Sequence, residues 1–162
     1  MPNHLSNLGI FHTAISILAL IAGIIALFRD GRINLHNGLG KWYVLLTVVT
    51  CITGFPIMKT GHISVGHVDG AIVLILLILA YFARSIWKSP TGAVKAETIF
   101  LSVTLFLSFV PAITETLTRL PISQPIADGP DASLVKMLNG AAALIFLVII
   151  IYQVRKLRKL TL

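Results

Sequence analysis

The side chains with the most potential for chemistry in this sequence are its five histidines. His12 lies about one turn inside the first long apolar run, and His62 and His67 precede or open the third. An ionisable group inside a membrane-spanning segment is costly, so it is a candidate functional residue by default. His67 should lie in the first turn of a helix, where the positive end of the helix dipole favours the neutral imidazole. The neutral ring is the form that binds a metal.

His12 and His67 are predicted to ligate one cofactor, with haem b as the first choice. Two imidazoles at similar depth on different helices can provide the two axial ligands of a haem iron. Helical side chains lean toward the N-terminus, which places His12 over Gly9 and His67 over Ser64. These small residues leave room for a flat macrocycle. His62 is the reserve ligand. The predicted function is electron transfer by a small membrane redox protein that binds one haem b at the outer face of the membrane.

Two other interpretations of the same residues stay open. His12, His62 and His67, with Asp69 nearby, could hold zinc or copper, because three protein ligands and an open position form the catalytic zinc pattern. Such a site would belong to a membrane enzyme or a metal carrier. Alternatively, the histidines make structural hydrogen bonds in a non-catalytic accessory subunit of a membrane complex. His36 stands alone near the opposite end, so one chain offers no second bis-histidine haem.

The elements that position these residues are predicted to be membrane-spanning helices. Of the 162 residues, 56% are hydrophobic and 12% are charged, about half the charged fraction of a soluble domain. A spanning helix needs about 20 apolar residues, and backbone satisfaction in lipid favours helices for such runs. We therefore expect one all-α bundle, residues 1–162, with about five spans. The apolar runs are 8–28, 42–58, 70–83 (68–87 if Arg84 reaches the interface), 98–114 and 137–154.

The distribution of basic residues predicts the orientation of these five spans. Segments 29–41, 84–97 and 155–162 hold ten Lys and Arg, and the segments on the other side hold the remaining three of 13. The side richer in Lys and Arg should be cytoplasmic, which places the N-terminus outside and the C-terminus inside. We expect the plasma (inner) membrane of a bacterium. The expected partners are the lipid bilayer and a membrane redox partner or larger complex; nucleic acid is not expected, because the basic residues flank apolar runs.

Small and polar residues recur at spacings of three and four along the first two predicted helices. Membrane helices pack through small residues and hydrogen-bonding side chains, so the two rows should face each other inside the bundle. The first row is His12, Ser16, Ala19, Gly23, Ala26 and Asp30; the second is His36, Gly40, Tyr43, Thr47, Thr50 and Gly54. Segments 84–97 and 115–133 are predicted to be connections outside the bundle.

The segment that opens the second helix contains the motif H-x-x-x-G-x-x-Y, formed by His36, Gly40 and Tyr43. It follows a helix that carries His12. Over about residues 9–85 the chain resembles the membrane proteins of domain of unknown function 2306 (DUF2306). The resemblance implies a small helical membrane bundle with intramembrane histidines, and it implies no particular reaction.

Overall fold

The computed structural model describes residues 6–57 and 64–159, and within these ranges the chain is helical with turns between the helices and no strand. The predicted all-α class is confirmed. The described helices are α1 (Asn7–Asp30), α2 (Gly38–Gly54), α3 (Val65–Tyr81), the single-turn α4 (Ala83–Ile86), α5 (Pro90–Arg119) and α6 (Ser133–Lys159).

Membrane character is supported by the length and composition of these helices. In the described ranges, α1, α5 and α6 are each long and apolar enough to cross a bilayer. The apolar helices α2 and α3 have 17 residues each, the lower limit for a span. Large apolar side chains face outward, as with Phe28 at 89% exposure. Polar side chains such as Glu97 and Thr104 are buried inside, the pattern expected of a bundle that faces lipid.

Short polar side chains begin three of the helices. Ser6 accepts a hydrogen bond from the backbone N–H three residues later, and Asn37 and Ser89 do the same. Such N-caps satisfy N–H groups that have no partner within the helix. At its other end, α1 stops at Gly31, whose φ of 71° lies in the left-handed region and lets the chain turn towards α2.

Helices α1 and α2 pack through the two rows that the sequence predicts. A Cβ atom at Gly23 would lie 2.7 Å from Leu105 Cδ1 and 3.0 Å from the ring of Tyr43. Tyr43 is fully buried. At the other end of the interface, a Cβ at Gly54 would lie 3.1 Å from His12 Cε1. The expected face-to-face packing is therefore confirmed at these positions, where it depends on close approach at two glycines. Asp30 and His36, at one end of the rows, are exposed.

Helix α5 is the central helix, and it is longer than the sequence predicts. It contacts α1, α3, α4 and α6, and it supplies Leu101 and Leu105 to the core. The prediction of a connection over 84–97 is corrected, because α4 and the first two turns of α5 occupy it. Ser89 as N-cap and Pro90 in the first turn start the helix eight residues before the apolar run. The predicted irregular segment is shorter as well, extending from Leu120 to Ala132.

The bundle has two ends, which we name after one residue each. The His12 end contains the start of α1, the end of α2, the start of α3 and the end of α5, and Asn139 of α6 reaches Thr114 there. The Glu97 end contains the α1–α2 connection, the start of α5 and the last turns of α6.

Candidate functional site

At the His12 end, the ring of His12 is half-buried against the last turn of α2. Its Nδ1 atom lies 3.2 Å from the hydroxyl of Thr53. That hydroxyl also donates to the carbonyl of Val49 in its own helix. The absence of a side chain at Gly54 provides the space into which the ring packs. His12 is therefore held in one orientation by its neighbours in α2.

The ring of His67 is bound through both of its nitrogen atoms. Its Nδ1 atom accepts a hydrogen bond from the backbone N–H of Ser64 at 3.1 Å and lies 2.8 Å from the Ser64 hydroxyl. Because Nδ1 accepts, the ring proton is on Nε2, which donates to the carbonyl of Phe55 at 3.0 Å. His67 thus caps the first turn of α3 and joins it to the residue that follows α2.

The two histidines predicted to share a cofactor reach the same part of the molecule through separate contacts. His12 contacts Thr53 and Gly54, and His67 contacts the next residue, Phe55. The sequence predicts room for a macrocycle between His67 and Ser64. The serine hydroxyl fills this space, because it lies against the imidazole. Each ring therefore contacts the end of α2 separately, through different residues.

The remaining predicted ligands are only partly described. His62 lies outside the described residues, so its position relative to His12 stays untested. Asp69 is half-buried in the first turns of α3, close enough to Cys51 for an electrostatic interaction. Over residues 6–57 and 64–159, no three or more His, Cys, Asp or Glu side chains are grouped as a metal ion would need.

A carboxylate that the sequence assigned to a connection also belongs to the His12 end. Glu115 lies in the last turns of α5, forms an ion pair with Arg119 and is close enough to His12 for a Coulombic interaction. Nearby, the amide of Asn139 donates to Thr114 at 3.3 Å. Helix α5 thus brings a carboxylate towards His12, and Asn139 of α6 binds the residue that precedes this carboxylate in α5.

The Glu97 end holds a buried carboxylate that sequence reasoning missed. The Glu97 residue is 1% exposed, and its Oε1 accepts from the backbone N–H of Leu35 at 3.3 Å. Arg32 Nη1 lies 3.7 Å from Oε1 of Glu97, and His36 Nε2 lies 3.8 Å from Oε2 of Glu97. The spacing in the sequence indicates this position. Glu97 lies one helical turn before Leu101 and two turns before Leu105, so the three share one face if the helix begins before residue 97.

A second buried polar group connects α6 to this end of the bundle. Gln153 is 3% exposed, and its Nε2 donates to the carbonyl of Gly31 at 2.9 Å. Its Oε1 accepts from the hydroxyl of Ser102 at 2.8 Å. One amide therefore joins the end of α1, the first half of α5 and the last turns of α6.

The residues of the H-x-x-x-G-x-x-Y motif have packing roles in this structure. A Cβ at Gly40 would overlap the backbone of Asn34, so only glycine fits there. His36 reaches Glu97, and the hydroxyl of Tyr43 lies 2.8 Å from that of Thr104. The motif can therefore be explained by the contacts of the α1–α2 connection with α5.

No family model, curated protein or solved structure matches this chain. The resemblance to DUF2306 accordingly stays a hypothesis.

Proposed function

We propose that this chain crosses the membrane five times, with its N-terminus outside and its C-terminus in the cytoplasm of a bacterial cell. The spans are α1, α2, α3 extended by α4, α5 and α6. Support comes from the ten basic residues that the Glu97 side would receive, against three on the other side. The short helices α2 and α3 reach the lower limit of spanning length.

We further propose that the chain is a non-catalytic subunit of a membrane complex and that its histidines hold helices together. The observation that carries this proposal is the pair of hydrogen bonds made by His67. One nitrogen accepts from Ser64 and the other donates to Phe55. A polar group without a hydrogen-bond partner costs several kcal/mol in the hydrocarbon of a membrane. A histidine whose two nitrogens are both used is therefore well suited to joining α2 to α3.

Haem ligation by His12 together with His67 would require His67 to give up a hydrogen bond of the described arrangement. An iron ligand must offer a nitrogen lone pair. In His67 the Nδ1 lone pair is used by the N–H of Ser64, and Nε2 carries the proton that it donates to Phe55. Binding iron would break at least one of these bonds. For zinc or copper, the described residues contain no group of three or more His, Cys, Asp or Glu side chains, and the predicted ligand His62 lies outside them.

A second candidate function is supported by the orientation of His12. Its Nδ1 contact with Thr53 resembles the hydrogen bond that orients a metal-binding histidine through its other nitrogen. Under this alternative, His12 binds haem b or a metal ion through Nε2. His62 or a partner chain supplies the second ligand, and the protein takes part in electron transfer.

One experiment separates the two candidates. The protein is purified in mild detergent, its absorption spectrum is recorded before and after dithionite reduction, and its metal content is measured. The subunit proposal expects no Soret band, no stoichiometric metal, and a stoichiometric complex larger than the chain in native membrane extracts.

The variant comparison makes this test specific. If the reduced protein shows the α and β absorption bands of haem, and these bands are lost in His12→Ala and kept in His36→Ala, the haem candidate is established. His36 is the matched control, since it lies at the opposite end of the bundle. Isolation of the chain as a monomer without partner, haem or metal would overturn both candidates.

A further inference from the structure

An apolar groove runs between α1 and α6, with α5 as its floor. Its volume is about 430 Å³, within the range of small-molecule sites. Among described residues, α1 and α6 both pack on α5, and Gln153 contacts the end of α1 at Gly31, which leaves the groove open at the side of the bundle. Its apolar walls include Ile24 and Phe28 of α1, Phe109 of α5, and Phe146 and Ile149 of α6.

The groove changes from apolar to polar along its length. Its lining ends at Gly31 and Gln153, where the glutamine amide binds the carbonyl of Gly31. From Phe146 to Gln153 the rise along α6 is about 10 Å, and Lys156 follows about one turn later, towards the end of the helix. A ligand that fits this gradient has an apolar chain and a polar head.

A cation stands where the polar head would lie. Ile149, Gln153 and Lys156 follow one another at spacings of four and three, so they share one face of α6. Lys156 Nζ lies 3.7 Å from the position that a Cβ of Gly31 would take. Lys156 is exposed, and in the described part of the chain it forms no ion pair with a carboxylate.

The charged residues near this cation in the chain are of both signs. Arg29 lies beside the end of α1, and its partner is the adjacent Asp30. Arg155 follows in the last turns of α6. Lys156 is therefore the cation placed beside the mouth of the groove, whereas the walls of the groove are apolar.

We propose that the groove binds one acyl chain of an anionic phospholipid, whose phosphate contacts Lys156. Basic residues beside a transmembrane helix attract anionic headgroups, and the long lysine side chain can reach the interface while its methylenes cover apolar surface. The charge complementarity favours an anionic lipid over a neutral isoprenoid. The proposal requires a membrane-spanning chain and is independent of the partner or cofactor of the protein.

Native mass spectrometry of the full-length protein tests this site. The probes are phosphatidylglycerol and phosphatidylcholine with identical acyl chains, added to the delipidated protein in detergent. We expect phosphatidylglycerol to bind more tightly. Lys156→Gln should weaken its binding roughly fivefold, the ratio that corresponds to about 1 kcal/mol for one lysine near the membrane surface. The same substitution should weaken phosphatidylcholine less, because the choline group offsets the charge of its phosphate.

Two further variants make the result interpretable. Lys88→Gln, which changes an exposed lysine in the α4–α5 connection, should bind both lipids as the unmodified protein does. Ile149→Trp, which fills the groove, should weaken both lipids equally while thermal unfolding shows a folded protein. Equal binding of the two lipids, an identical effect of Lys156→Gln and Lys88→Gln, or recovery of a neutral isoprenoid from the groove would each overturn the proposal.

Discussion

The carboxylate of Glu97 and the guanidinium of Arg32 form an ion pair across 3.7 Å, between the start of α5 and the connection from α1 to α2. Glu97 is buried, and the side chain of Arg32 is 22% exposed. The same carboxylate also accepts from the backbone N–H of Leu35. One acidic residue therefore fixes the connection against the central helix.

Glu97→Ala should lower the free energy of unfolding by about 1–3 kcal/mol, the cost of leaving buried polar partners unpaired. The measurement is denaturant-induced unfolding in detergent micelles. Asp131→Ala is the control, because its pair with Lys136 has a carboxylate side chain that is 93% exposed, and exposed pairs contribute little. Equal effects of the two substitutions would show that the Glu97 contacts do not stabilise the bundle.

Gly23→Ala should destabilise the contact of α1 with α2 and α5. The added methyl group would meet Leu105 and Tyr43, both fully buried, at distances of 2.7 and 3.0 Å. Overpacking of this kind costs about 1–3 kcal/mol. Thermal unfolding in detergent measures the effect.

Gly140→Ala is the matched control for that substitution. Apart from the adjacent residues and backbone of its own helix, no atom of the described residues lies within 4 Å of the position that the added methyl group would take, and the residue lies inside α6. Alanine has the higher helix propensity, so this variant should be neutral or up to about 1 kcal/mol more stable. A Gly23→Ala protein as stable as Gly140→Ala would contradict the close packing at Gly23.

Tyr43→Phe should lower stability by on the order of 1 kcal/mol, the size of a hydrogen bond between membrane helices. The substitution removes the hydroxyl that lies 2.8 Å from Thr104 and keeps the buried ring. Tyr81→Phe is the control, since Tyr81 is 72% exposed. A loss of stability in Tyr81→Phe equal to that in Tyr43→Phe would remove the role assigned to the Tyr43–Thr104 contact.

Cysteine labelling in intact cells should report the proposed topology. In a Cys51→Ala background, Gly38→Cys should react with a membrane-impermeant maleimide only after permeabilisation. Asp128→Cys, in the exposed segment between α5 and α6, should react without it. Labelling of Gly38→Cys from outside would reverse the orientation, and labelling of both positions would reject five spans.

Several features of the fold follow from local sequence. The long apolar runs predict α1 and α6, because lipid requires an internally hydrogen-bonded backbone. The rows of small residues predict the α1–α2 interface, because close approach needs positions without large side chains. The pairs Gly23–Tyr43 and His12–Gly54 lie within those rows, but their register is seen only in the structure.

Other features depend on contacts between distant segments. Hydropathy alone excluded Glu97 from the bundle, since a carboxylate is costly there unless it is paired. Its partners Arg32 and Leu35 are more than 60 residues away in the chain, so only the folded structure reveals the compensation. The prediction of a connection over 84–97 was wrong because the sequence does not reveal that Glu97 is paired inside the bundle.

The histidines show the same division most clearly. The sequence by itself determined that His12 and His67 lie near the same end of an apolar helical bundle, because helix length and direction set their depth. Tertiary structure alone decided what each ring touches. His12 packs at Gly54, and His67 uses both nitrogens between Ser64 and Phe55. Hydrogen bonding depends on distances of a few tenths of an ångström and on angles, which residue spacing cannot specify.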